Sequence, residues 1–240
     1  MIDKFSNILA IETTDQCGSV ALLYGNNLLL DRKLPTEQRS AQSLAPAIDD
    51  LLKESKLLPS DIGKVTVVTG PGSFTGLRVG VVTAKVFAYA IGAEIIGLST
   101  FEVIAFGGML SGLSGVLSIG VDAQRGDVAV QDWQINAESE NYCKLSEIKL
   151  MPINDWWQHS TKNEYGQNII FAGTALRRFG SKLPETIKIV EENLFDPHAK
   201  LAAQLAKNRK PTSDIWTINP IYARPSAADE KLKQTATKEI

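Results

Sequence analysis

The chain has 240 residues, 44% of them hydrophobic, and a formal net charge of −2. That is enough apolar material for one large domain or two lobes, and the charge excludes a broad basic face for holding nucleic acid unaided. Its two cysteines and two histidines exclude a disulfide framework and a Cys/His metal motif. Residues 1–7 lack an apolar signal core, which places the chain in the cytoplasm as an expectation. Residues 8–11 and 18–24 are apolar runs of β type. Asn26 and Asn27 then turn into 28–32, so three adjacent antiparallel strands are expected. Between Ser40 and Lys56 the residues Leu44, Ile48, Leu51 and Leu52 share one face of a helix, with Pro46 read into its opening turn.

Next come an apolar strand over 65–69 and the loop Gly70-Pro71-Gly72-Ser73-Phe74-Thr75-Gly76-Leu77-Arg78. A helix follows over 77–91. A strand ending in glycines and hydroxyls at a helix start offers backbone N–H groups to an anion or to a close-packed neighbour. Neither a Walker A loop nor the dinucleotide fingerprint fits the spacing, so a glycine-rich structural turn stands beside the anion reading. Apart from Arg78, Thr83, Lys85 and Tyr89, the helix is apolar or small on every side. It must therefore bury two faces, against its own chain or against a partner. Gly80, Ala84 and Ala88, at intervals of four, form a smooth strip on which another helix could lie closely, and with Phe87 they are the expected partner contact. Lys85 and Glu94 interrupt the longest apolar region, so no membrane span is expected.

A strand over 94–98 and a helix capped by Ser99 follow, and Gly107-Gly108 with 111–115 reads as a flexible joint. Beyond it, strands are expected over 116–121, 128–135 and 168–172, and a helix from Asp196-Pro197 to Asn208. Residues 227–240 read as a frayed polar tail. No repeat is visible.

Four ordered motifs carry a resemblance. The loop through Val79-Gly80, the opening Ile8-Leu9-Ala10-Ile11-Glu12-Thr13-Thr14, the mid-chain Val121-Asp122-Ala123-Gln124-Arg125-Gly126-Asp127-Val128 and the closing Pro220-Ile221-Tyr222-Ala223-Arg224-Pro225-Ser226 resemble those of the TsaB (YeaZ-like) family. The resemblance implies an α/β fold of the actin and sugar-kinase class. It has two lobes, each a mixed sheet with βββαβα order: a first lobe over 1–107 with the glycine-rich loop and the partner-binding helices, and a second over 108–226. It also implies a non-catalytic subunit of the machinery that makes threonylcarbamoyladenosine in tRNA, beside the anticodon. The implied partners are a TsaD-like catalytic subunit and a TsaE-like ATPase, with a homodimer when the chain is isolated and tRNA met only through the complex.

In nucleotide-binding relatives the first hairpin carries an acid and hydroxyls that face phosphates and Mg²⁺. Here those would be Glu12, Thr13 and Thr14, opposed across the cleft by Asp122 and Arg125. A capped turn and a local ion pair are the plainer readings. The loop residues Gly70, Gly72, Ser73, Thr75, Gly76 and Arg78 are the candidate nucleotide or partner contact. No cofactor is expected to be required by this chain, with ATP or ADP and Mg²⁺ entering at the level of the complex.

TsaD-like subunits carry two histidines four residues apart at the start of the first helix, where they help bind a metal. The matching region here reads Gln38-Arg39-Ser40-Ala41-Gln42, and the chain's histidines, His159 and His198, lie elsewhere. Neither a metal site nor a set of nucleophile, base and orienter can be assembled, so no catalytic residue is assigned. An independent phosphotransferase of the same fold, or a peptidase, is the alternative.

Overall fold

A computed structural model describes residues 6–15, 18–25, 27–36, 40–159, 165, 169–184 and 186–224. The tail over 227–240, Cys17, Asn168 and the Gln38-Arg39 pair lie outside the described residues, as does the side chain of His159. The first half runs β1 (Ile8–Glu12), β2 (Ser19–Tyr24), β3 (Asn27–Lys33), α1 (Ser40–Ser55), β4 (Lys64–Gly70), α2 (Phe74–Ile91), β5 (Glu94–Ser99) and α3 (Thr100–Leu110). The second half runs β6 (Ser114–Asp122), β7 (Asp127–Asn136), β8 (Asn141–Lys144), β9 (Lys149–Pro152), α4 (Ile153–His159), β10 (Ile169–Ala172), α5 (Ala175–Phe179), β11 (Lys188–Ile189) and α6 (Ala199–Ala206).

The first sheet has the strand order β3-β2-β1-β4-β5, and the second β11-β10-β6-β7-β8, with β9 also paired to β7. In each, the leading strand (β1 or β6) lies antiparallel to its hairpin partner and parallel to the strand returning after a helix. The two orders are the same once β6 replaces β1. The two-lobed mixed-sheet architecture is therefore as expected, and the duplication is a property of topology.

Alternation along β1 explains the layers. Leu9 and Ile11 point to one face and pack with Leu44, Ile48 and Leu51 of α1 and Val81, Ala84 and Ala88 of α2. Ile8 and Ala10 point to the other and meet Val103 of α3 and the alanines of α6. With helices on both faces, every residue of β1 is buried. Pro46 sits in the second turn of α1, where it removes one backbone donor, and so lies deeper than the sequence reading put it.

Two expectations are corrected. Gly107 and Gly108 are buried in α3 and form no flexible joint. A Cβ at Gly107 would lie 2.8 Å from Leu201, so the glycine lets α3 and α6 approach each other closely. Helix α3 is apolar all round because it serves two cores: Phe101, Ile104, Ala105 and Met109 pack on the second sheet, and Val103 on the first. Helix α6, last in sequence, returns to cover β1 and β2.

The second correction concerns α2. Gly80, Ala84 and Ala88 are buried against the chain's own sheet, and Phe87 is half-buried in the same cluster, so the small-residue strip is not a partner surface. Small side chains there let the helix sit close to β1 and β4. The helix does carry a second apolar face, rotated away from the strip: Phe74, Val82, Val86 and Tyr89 are 44%, 58%, 57% and 68% exposed. By length and composition α2 is apolar enough to cross a membrane, yet a third of it is buried inside the fold.

These placements set an expectation for stability. Ala84→Arg should cost about 3–5 kcal/mol or prevent folding, because it puts an unpaired charge into the core. Val86→Arg should stay within about 0.5 kcal/mol of the parent. Urea unfolding of the two variants checks this, and equal stabilities would contradict the helix orientation.

Candidate functional site

The first hairpin and the glycine-rich loop meet at the carboxyl end of β1. Glu12, on the face of β1 that looks toward α6, is 1% exposed. Its Oε1 accepts hydrogen bonds from the Thr14 N–H at 2.5 Å and the Thr14 hydroxyl at 2.7 Å. Its Oε2 is buried without a hydrogen-bond partner. Burial raises its pKa from 4.5 to about 8. The Thr14 bonds oppose that shift, and the negative fields of Asp15 and Asp196 add to it.

The Thr13 hydroxyl donates to the Gly76 carbonyl at 2.8 Å, and the Ser73 N–H donates to the Thr14 carbonyl at 2.6 Å. Ser73 caps α2, its Oγ accepting from the Gly76 N–H at 3.3 Å. Gly72, Gly76 and Gly80 all face this hairpin, and a Cβ on any of them would overlap Thr14 or Thr13. The strip seen in sequence at 80, 84 and 88 therefore begins at 72, and its first half exists to seat the hairpin. The Ser73 and Gly76 amides are spent within the chain, as a glycine-rich structural turn would have them. Thr75 and Arg78 stay exposed on the outside of the helix start. Gly70, with φ 114°, lets the Ile221 carbonyl pass beside it.

The opposing turn, 122–127, belongs to the second lobe. Asp122 accepts from the Gln124 N–H at 2.8 Å and from Arg178 at 3.2 Å, so the local ion pair runs to α5 and not along the motif. Gln124 and Arg125 both take positive φ, 64° and 57°, and Arg125 is exposed on the turn. Arg224 holds the turn from outside, donating to the Ala123 carbonyl at 2.9 Å and the Gln124 carbonyl at 3.4 Å while pairing with Asp127.

Arg177 of α5 stands between the two lobes. It pairs with Asp196, with Glu192 at 3.6 Å and with Asp15 at 3.9 Å. Beside it, a cleft of about 550 Å³ is lined by Lys33, Arg177 and Lys200, balanced by Asp31, Glu192 and Asp196. The balanced charge gives no net pull on a phosphate. His198 begins α6, its Nε2 3.2 Å from the Asn193 carbonyl, and burial lowers its pKa.

The hairpin and the loop are closed on each other. A divalent cation needs accessible carboxylate oxygen, and Glu12 is enclosed, with burial raising its pKa. A phosphate needs free amides, and the loop is pressed against the hairpin. Among the described residues no group of three or more His, Cys, Asp or Glu side chains is placed to hold a metal ion.

What the sequence reading missed is the outer surface of α2. The Arg78 guanidinium lies 3.9 Å over the Phe74 ring and its Nε donates to the Tyr222 hydroxyl at 3.1 Å, while the Phe74 and Tyr222 rings are 5.0 Å apart. At the other end Tyr89 and Trp216 are 5.6 Å apart. Trp216 is 57% exposed and Tyr222 40%. Aromatic and Arg side chains flanking exposed valines are the composition of interface anchors. The closing Pro-x-Tyr-x-Arg motif marked Tyr222 and Arg224. No local pattern marked Trp216 or Arg177, and Asp196 was legible only as the start of a helix.

Comparison with known proteins agrees with this geometry. Residues 35–219 match the family model described as "TsaD: tRNA N6-adenosine threonylcarbamoyltransferase". The chain is 33% identical over 229 residues to the tRNA threonylcarbamoyladenosine biosynthesis protein TsaB of Bacillus subtilis (strain 168), covering 93% of this chain and 96% of that one. It is 35% identical over 233 residues to the protein of the same name from Escherichia coli (strain K12), covering 94% and 97%. The solved structure of YeaZ from Pseudomonas aeruginosa superposes with a TM-score of 0.74 at 22% identity, over 91% of this chain and all of that one.

The buried acid carries a pH prediction. Glu12 is neutral in the folded chain up to about pH 8 but ionises near 4.5 when unfolded. Stability is therefore highest below that lower value and falls by up to about 1.4 kcal/mol per pH unit as the pH rises through the window between them. Glu12→Gln should flatten this slope and be the more stable variant at about pH 8. Parallel pH slopes for parent and variant in denaturant unfolding would show that Glu12 is ionised in the fold.

Proposed function

We propose that this chain, which belongs to the TsaB family of tRNA threonylcarbamoyladenosine biosynthesis proteins, is the non-catalytic subunit of the complex that modifies the adenosine beside the tRNA anticodon. It pairs with and stabilises a catalytic subunit of the TsaD type. A TsaE-like ATPase joins the same cytoplasmic complex and brings ATP or ADP with Mg²⁺, so this chain needs no cofactor of its own. Transfer RNA meets it only within that assembly, in keeping with a net charge of −2.

The observation that carries this reading is the uncovered outer face of α2. Val82 and Val86 stand exposed between the Phe74–Arg78–Tyr222 cluster and the Tyr89–Trp216 pair, while the interior of the site is closed on itself. A closed site with an open apolar face suits a binding subunit. An independent phosphotransferase would need the amides and the carboxylate that the fold has enclosed.

Two measurements follow from it. Val86→Arg should fold normally and lose affinity for the TsaD-type subunit by more than about a hundredfold, because docking would bury an unpaired charge. Cells depending on that variant should lack threonylcarbamoyladenosine. Unchanged affinity with normal modification would remove this face from the interface. In isolation, the parent chain should sediment as a dimer at high micromolar concentration by pairing these faces, and Val86→Arg as a monomer.

A further inference from the structure

After α6 the chain does not leave the fold. The Thr212 N–H donates to the Ile95 carbonyl at 2.9 Å on the outer strand of the first sheet, and Ile218 is buried beside Gly97. The Ile221 N–H then donates to the Thr69 carbonyl at 2.7 Å at the end of β4. Residues 212–224 thus form a strap over the first lobe, fastened to α2 at two points. Trp216 packs against Tyr89 with its ring tilted while its carbonyl accepts from Lys85 at 3.1 Å, and Tyr222 is held by Phe74 and Arg78. Two residues further on, Arg224 grips the turn 122–127 of the second lobe through two carbonyls and Asp127.

That turn is one that L residues adopt reluctantly, since Gln124 and Arg125 are successive non-glycine residues at positive φ. Such a conformation persists where its surroundings over-determine it. Arg224 supplies three of the contacts that do so, and it follows Tyr222, which packs on the outer face of α2, by two residues.

We propose that the strap is a coupling element: occupation of the α2 face immobilises Tyr222, and through Arg224 this fixes the second-lobe turn 122–127. The coupling rests on the reading of that face as a docking surface only for what occupies it. The mechanical link belongs to the isolated chain. A partner that buries Phe74, Arg78 and Tyr222 removes the freedom of the strap once, at docking, and the turn becomes ordered with no contact of its own to the partner.

Amide hydrogen exchange read by mass spectrometry on the full chain tests this. Tyr222→Ala and Arg224→Gln should each speed exchange of peptides covering 122–127 by about tenfold, with the sheets unchanged. Leu58→Ala, an exposed position between α1 and β4 that belongs to neither the face nor the strap, should leave the turn at the parent rate. Arg78→Met, which removes a single exposed guanidinium, should shift it in the same direction as Tyr222→Ala. A turn that exchanges at the parent rate in Tyr222→Ala and Arg78→Met overturns the coupling.

Adding the purified TsaD-type subunit should slow exchange of the turn in the parent and not in Arg224→Gln. Slowing of equal size in both would also overturn it. If the subunit does not bind, the docking reading fails alone, and the isolated-chain comparison still decides the coupling.

Discussion

The close approach of α2 to the hairpin that ends β1 is the constraint on which the rest of the structure depends. Gly72, Gly76 and Gly80 face Thr13 and Thr14 with no room for a Cβ, and Ala84 and Ala88 continue the same line down into the sheet. Side-chain bulk sets the distance between a helix and its neighbours, so a line of glycine and alanine brings α2 as near to β1 as the backbone allows. Two consequences follow from this one contact. The hairpin is clamped, with Thr13 donating to Gly76 and Ser73 donating to Thr14. Glu12 is sealed behind it, where ionisation is costly.

The lobes are tied as firmly as the hairpin. Helix α3 gives one side to each sheet, and α6 crosses back to cover β1 and β2, so each lobe contains an element from the other half of the chain. Three arginines fasten the periphery: Arg177 to Asp15 and Asp196, Arg209 to Glu102 and Tyr142, and Arg224 to the turn 122–127. A cleft that opens and closes around a substrate needs a free hinge between its lobes. Here the lobes share helices and ion pairs.

The inner and outer faces of α2 divide the labour. The inner face is small because it must come close to the sheet, and it carries the residues that hold the fold. The outer face is large and aromatic, with Arg78 between Phe74 and Tyr222, and keeps its valines exposed. A helix of this kind is apolar all round for two unrelated reasons, and composition alone does not distinguish them.

The sequence by itself determined the order of elements in the first lobe and the fact that α2 has two apolar faces, because period-two and period-four patterns are local and survive without tertiary context. Four ordered motifs were enough to bring out the family. The second lobe was less legible: α4 is short, and so are β8, β9 and β11, whose patterns are fixed by pairing with β7 and β10, not by their own residues. The tertiary structure decided which face of α2 turns inward, since 80, 84 and 88 and 82, 86 and 89 are equally regular on a helix and only the position of Thr13 chooses between them. It also decided that the glycine-rich loop closes on its own hairpin, that Glu12 is enclosed, and that Arg177 and Arg224 join the lobes. Those are contacts between residues tens of positions apart, and no spacing along the chain encodes the distance at which two backbones meet.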